Sequence, residues 1–299
     1  MQLLLVRRVH DMAILLVLSI LAVYAQNSAS SGDKKPFAEV KAQAEAGDVK
    51  AQYDLGVDYE NGVGVQGNQE EAAKWFRKAA EQGDAKAQNE LAVMYHTGRG
   101  VLKDDKEYAR LLRVAAEQGY ARGQFNLGVM EGVSKDYEEA ERWFRKAAEQ
   151  GYPDAETQLG IAYANGLGVA RNFDEAVTWF RKAAQQDNAD GEYEMGIAYI
   201  NGRSVPRDHG EALRYFRKAS EQGHGGAQFN LGVAYYTGDI VPKDLVEAYK
   251  WMSLSAARGV GAAGKALRTI ERAMTADEVV EAKRLASEFK PREAPQTME

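Results

Sequence analysis

The phrase KAAEQG occupies residues 78–83 and returns, intact or nearly so, down the chain. Its closing position falls on Gly47, Gly83, Gly119, Gly151, Asp187, Gly223 and Gly259, in steps of 36, 36, 32, 36, 36 and 36 residues. Self-similarity at a period on the order of 20–50 residues marks a stacked-repeat architecture. One such unit cannot bury its own apolar face, so its neighbours must cover it. The resulting array displays an extended surface, which points to binding in preference to catalysis.

Working outward from the phrase, the first unit shows how each is built. Ala51, Leu55 and Tyr59 lie at i, i+4 and i+8, one face of a first helix. Asn61-Gly62-Val63-Gly64-Val65 breaks that helix. A second helix opens at Asn68 with Glu71 three residues on, the spacing of a reciprocal capping box. The pair recurs as Asp104/Glu107, Asp136/Glu139, Asn172/Glu175, Asp208/Glu211 and Asp244/Glu247. Ala72, Trp75, Phe76, Ala79 and Ala80 give this helix an apolar stripe, and Gly83 ends it with a left-handed cap. Gly56 and its counterparts Ala92, Gly128, Gly160, Gly196 and Gly232 sit inside the first helices. They predict close helix approach, opposite the Ala79/Ala80-type pairs. The third unit is four residues short, with VMEGVSKD at 129–136 in place of the Gly-x-Gly loop.

The expected fold is all-α: a right-handed α-solenoid of about six helix–loop–helix repeats with N- and C-terminal capping helices. The repeats run over 47–82, 83–118, 119–150, 151–186, 187–222 and 223–258. A lone capping helix covers 36–46, and capping helices at 260–290 close the array, the last starting at a Thr275/Glu278 capping box. Residues 291–299, beginning with Pro291, are expected to be a disordered tail.

Residues 1–25 read as a signal peptide. Arg7 and Arg8 supply its positive end, residues 12–23 its apolar run, and Val23-Tyr24-Ala25 a cleavage site before Gln26. A Ser-, Asn- and Gly-rich stretch at 26–35 reads as a flexible linker. The expected location is therefore periplasmic or secreted, with retention of the apolar segment as an anchor as the alternative. No later segment is apolar enough to span a bilayer. The chain of 299 residues has a net charge of −6 and no cysteine. That composition excludes a disulfide framework and a thiolate metal site, and it lacks the basic stripe of a nucleic-acid binder.

LGVDYENGVGV (55–65), LGIAYANGLGV (159–169), EAVTWFRKAA (175–184) and the closing MTADEVVEAKRLA (274–286) resemble Sel-one-like repeats (SLR). That family is a branch of the tetratricopeptide-like helical repeats, and the resemblance covers about residues 40–288. It implies an adaptor or scaffold that binds a protein or peptide, in envelope regulation or host interaction, with neither enzymatic activity nor a cofactor.

Two lines on the first helices are the candidate partner-binding residues. Tyr53, Asn89, Phe125, Thr157, Tyr193 and Phe229 stand two residues before each Leu-Gly-type pair, with an aliphatic residue four positions later. This second apolar stripe is either a partner groove on the concave face or inter-repeat packing. Asp54, Glu90, Asn126, Gln158, Glu194 and Asn230 run beside it. The resemblance implies that Asn126, Gln158 and Asn230 clamp a peptide backbone, since an amide offers both donor and acceptor. The alternative is a solvated face. The Arg-Lys pairs, such as Arg77-Lys78 and Arg217-Lys218, read as a solvated outer surface. His96, His209 and His224 stand too far apart for a metal site. Ser31-Gly32-Asp33-Lys34 matches Ser-x-x-Lys formally but lacks that motif's companions. A weak β-lactam-type hydrolase and a purely structural envelope scaffold are the competing readings.

Overall fold

The computed structural model describes residues 35–292. The signal peptide, residues 26–34 of the linker, Ser31–Lys34 of the Ser-x-x-Lys match and residues 293–299 lie outside the described residues. The described residues form fifteen α-helices and no strand. A short α1 (Phe37–Glu45) precedes six helix pairs. These are α2 (Val49–Asn61) with α3 (Gln69–Glu81), α4 (Ala85–Thr97) with α5 (Asp105–Glu117), and α6 (Ala121–Val133) with α7 (Tyr137–Glu149). They continue with α8 (Pro153–Asn165) and α9 (Phe173–Gln185), α10 (Ala189–Asn201) and α11 (His209–Glu221), and α12 (Gly225–Thr237) and α13 (Leu245–Ala257). Two further helices, α14 (Gly261–Glu271) and α15 (Ala276–Glu288), follow. The chain divides into two compact units between Ala147 and Ala148.

The second helices start as the sequence predicts, but by half of the expected device. Asn68, Asp104, Asp136, Asn172, Asp208 and Asp244 each accept a hydrogen bond from the amide three residues on. The reciprocal bond of a capping box forms at Thr275/Glu278, not at Asn68, Asp104, Asn172, Asp208 or Asp244. The reason is that each N-cap amide already has a partner. Asn68, Asp104, Asn172, Asp208 and Asp244 donate to the carbonyls of Tyr59, Tyr95, Tyr163, Tyr199 and Tyr235, closing the loop onto the preceding helix. Five of the released glutamates pair with cations three residues on: Glu71 with Lys74, Glu107 with Arg110, Glu139 with Arg142, Glu211 with Arg214 and Glu247 with Lys250. In the shortened third unit the Asp136 amide donates to Glu131, which stands where the tyrosine stands elsewhere. The deletion thus removes loop residues while keeping the same closure. Arg113 meets the substituted Glu131 at 2.9 Å.

The repeated phrase ends each second helix and also ties it to its surroundings. Gly83 has φ +92°, the Gly83 amide donates to Ala80 and the Asp84 amide to Ala79, which is the Schellman pattern. Gln82 Nε2 donates to Gln52 Oε1 at 2.7 Å, and Gln52 Nε2 donates on to the carbonyl of Ala44 in the preceding helix. Gln118, Gln88 and Ala80 repeat this ladder one unit later. Glu156 and Glu192 replace the relay glutamine; they accept from Gln186 and Gln222 but cannot pass a proton donor onward. Burial raises both carboxyls above their ordinary range. Lys78, Lys146 and Lys182 lie 3.7–3.8 Å from the centroids of Trp75, Trp143 and Trp179, so these cations cover the tryptophans. The Arg-Lys pairs are therefore more than a solvated surface. Arg77 and Arg217 also donate to the Tyr95 and Tyr235 hydroxyls of the next unit.

Close helix approach occurs at the predicted small residues but against a different partner. A Cβ on Gly56, Gly160 or Gly196 would fall 2.5–2.6 Å from the ring of Phe76, Phe180 or Phe216, not on the alanine pairs. Each glycine is thus the seat of the buried phenylalanine of its own hairpin. At the C-terminal end Phe289 meets Trp251 edge-on with centroids 5.6 Å apart. Part of the expected tail is packed: the Arg292 amide donates to the Glu221 carbonyl at 2.7 Å, and its guanidinium lies 3.6 Å from Asp187. Among the described residues no helix is long and apolar enough to cross a membrane.

Candidate functional site

The first helices set the two candidate lines, and the structure treats each position differently. Tyr53, Phe125 and Tyr193 lean against Phe76, Phe144 and Phe216 of their own hairpins, with ring centroids 5.7, 6.0 and 5.9 Å apart. Asn89 and Thr157 are fully buried, whereas Phe229 is half-buried beside the Tyr249–Met252 cluster. On the polar line Glu90 and Asn126 are buried, while Asp54, Gln158, Glu194 and Asn230 remain half-buried. The line is closed in the second and third repeats and reachable in the others.

The closure in the first unit is ionic. Arg122 Nη1 lies 3.2 Å from Glu90 Oε1, with the two side chains only 10% and 7% exposed. Asn126 donates to Asn89 Oδ1 at 2.8 Å, and Asn89 donates to Glu90 at 3.3 Å. Arg99 meets Glu60 at 3.1 Å alongside. Burial and the charge of Glu90 hold the Glu60 carboxyl above its ordinary range, against the pull of Arg99 and Arg122.

The second unit gathers a different set between α10 and α12. His224, the N-cap of α12, accepts the Ala227 amide at Nδ1. Its Nε2 therefore carries the proton and faces Asp190 Oδ1 at 3.2 Å. The imidazole stacks on Tyr193 with centroids 4.4 Å apart, and Tyr193 is hydrogen-bonded to Asn230. Desolvation raises the Asp190 carboxyl, but the hydrogen bond from His224 outweighs that effect and holds it low. Glu194 beside them is pushed up to about 7 by burial, with His224 opposing and Asp190 assisting. One repeat earlier, Asn188 Nδ2 donates to Asp154 Oδ1 at 2.7 Å, the same bridge from a first-helix start to the next N-cap. Among the described residues no three His, Asp or Glu side chains converge as metal ligands would.

The Sel1 repeat pattern matches residues 49–84, 85–120, 121–152, 153–188, 189–224 and 226–260. The chain belongs to the Sel1 repeat family. It is similar to a Sel1 repeat protein from Oxalobacter formigenes, with 27% identity and a TM-score of 0.70 over 82% of this chain and 96% of that one. It is also similar to a protective antigen of uropathogenic Escherichia coli strains displaying an SLR fold, at 31% identity and a TM-score of 0.53. That match covers 85% of this chain and 63% of the antigen. None of the curated proteins matches the chain. Sel1 repeat proteins are generally protein-interaction scaffolds, and their fold is typically non-enzymatic.

Within these Sel1 repeats the sequence reading missed Glu60, Arg99, Arg122, Asp190 and His224. Their partners lie 32–39 residues away: Arg122 with Glu90, Arg99 with Glu60, His224 with Asp190. The available signal was a change of charge type at one repeat position. Lys50, Lys86, Arg122, Asp154, Asp190 and Gly226 are equivalent, and the sign reverses after the third repeat.

The raised Glu194 carboxyl gives a stability prediction. The folded chain holds this proton more tightly than the unfolded chain, so the stability contribution is greatest at low pH and falls as pH rises from about 4.5 towards 7. Glu194→Gln is expected to stabilise by about 1–2 kcal/mol at pH 8, discounted for partial exposure, and to change little at pH 4. Urea melts at the two pH values check this. Equal effects at both would contradict it.

Proposed function

We propose that this chain is an exported adaptor that binds a protein or peptide along the first-helix face of its Sel1 repeats. Gln158 carries the reading: it is half-buried on that face, and its amide makes no hydrogen bond to another described residue. An amide held open in that way offers a donor and an acceptor to a peptide bond without demanding a particular side chain. Glu194 and Asn230 extend the accessible line within the second unit, and Tyr193 and Phe229 supply apolar surface beside it; Asp54 and Tyr53 hold the equivalent positions in the first unit. In the first unit the buried Glu90, Phe125 and Asn126 are on this account interior packing, not partner contacts. Export to the periplasm or medium rests on Arg7, Arg8, the apolar run at 12–23 and the small-residue site ending at Ala25. Photo-crosslinking from positions 158 and 230 tests the proposal; a partner seated on this face is caught from both.

A further inference from the structure

The first helices of the two units differ in charge. α2, α4 and α6 carry Lys50, Lys86 and Arg122 against Asp54, Asp58, Glu60, Glu90 and Glu131. α8, α10 and α12 carry Asp154, Glu156, Asp190, Glu192 and Glu194 with no lysine or arginine. Two of these five are committed to the glutamine ladder: Glu156 with Gln186, and Glu192 with Gln222 and Lys218. Asp154 accepts from Asn188, and Asp190 is engaged by His224. Glu194 is left with neither a hydrogen bond nor an ion pair among the described residues, although it is half-buried. A carboxylate in that setting is destabilised until a counter-charge arrives. In the first unit the equivalent Glu90 has such a counter-charge in Arg122 of the next repeat; the corresponding residue of the repeat after Glu194 is Gly226, which has no side chain to offer.

Tyr193 and the stacked His224 stand next to this carboxylate, and Phe229 and Ile197 continue the apolar surface. Aromatic rings beside carboxylates suit a guanidinium or ammonium group, whose stem packs on the rings while its head meets the charge. We propose that the first-helix face of the fourth to sixth repeats receives an extended segment of a partner bearing a basic side chain, whose head sits against Glu194 and Asp190. This rests on the partner-binding reading above and adds what that partner must carry.

The test uses the purified full chain and two fluorescein-labelled, end-blocked nonapeptide pools, read by fluorescence polarisation at pH 7.5. One pool has arginine fixed at its centre; the other has citrulline, which keeps the shape and loses the charge. The arginine pool should bind about tenfold more tightly. Glu194→Gln and Asp190→Asn, which retain acceptor oxygens and the His224 contact, should each remove most of that preference. Gln158→Ala should weaken both pools alike. Equal binding of the two pools, or a preference that survives Glu194→Gln, overturns the proposal. If binding lacks a charge preference yet falls with Gln158→Ala, the partner-binding reading stands alone. If neither pool binds, both readings fail.

Discussion

Arg122→Met is expected to destabilise the first unit by about 3–5 kcal/mol, the cost of leaving a buried charge without its partner. Arg122 and Glu90 are 10% and 7% exposed and 3.2 Å apart, so water cannot replace the lost guanidinium. The damage extends beyond one contact. Glu60 already feels the negative charge of Glu90, and Arg122 offsets it there as well. Asn126 and Asn89 form a chain of amides that ends on the same Glu90 oxygen. Adding Glu90→Gln to Arg122→Met removes the stranded charge and should recover most of the loss, because a neutral amide can still accept from Asn89. Urea denaturation of the two single variants and the double variant measures the coupling. A single-variant cost below about 1 kcal/mol, typical of an exposed pair, would contradict this account of the cluster.

Gly100→Ala is the other large effect, with an expected cost of at least about 3 kcal/mol. Gly100 has φ +66°, and a Cβ there would lie 2.0 Å from the Gln69 carbonyl oxygen and 2.8 Å from the Glu70 nitrogen. Those atoms belong to the start of α3, so a helix of the neighbouring repeat would have to move. Gly98 provides the control. It has φ +71°, but its nearest neighbour would be Lys103 Cβ at 3.8 Å. Gly98→Ala should therefore show only the left-handed backbone penalty, about 1 kcal/mol. The difference between the two variants isolates the contact between repeats. Equal melting temperatures would mean that the loop does not pack where the structure places it.

These effects show what was legible in the chain and what was not. Helix starts and stops repeat in every unit, because Asn68-type caps and Gly83-type left-handed positions act on local backbone atoms. A spacing of three residues is enough to read them. The glutamine ladder was also present in the repeated phrase, but the Gln82–Gln52 bond spans 30 residues, and only the folded hairpin brings its ends together. The face lines were hardest. Glu90 and Glu194 hold equivalent positions, yet one is sealed by Arg122 and the other left without a cation. Whether a polar residue on a first helix is floor or surface depends on its neighbours one repeat away, which a single-unit pattern does not contain. Gly56 teaches the same lesson in packing. Its smallness is evident in the sequence, but its partner, Phe76, is set by the pitch of the two helices.

The division of labour among repeats follows from those side chains. The buried Arg122–Glu90 ion pair fixes the second and third repeats, while the later repeats keep Gln158, Glu194 and Asn230 within reach of solvent. A shared helical frame with unequal polar pairing lets one part of an array be structural and another be receptive.

Site-specific photo-crosslinking tests that division most directly. A benzoylphenylalanine placed at position 158 or 230, in the full chain expressed with its N-terminal segment, should give the same discrete cross-linked species from both sites. The same probe at the exposed second-helix positions Lys74 and Arg181 should give none. A species caught from 74 and 181 but not from 158 and 230 would contradict binding on the first-helix face.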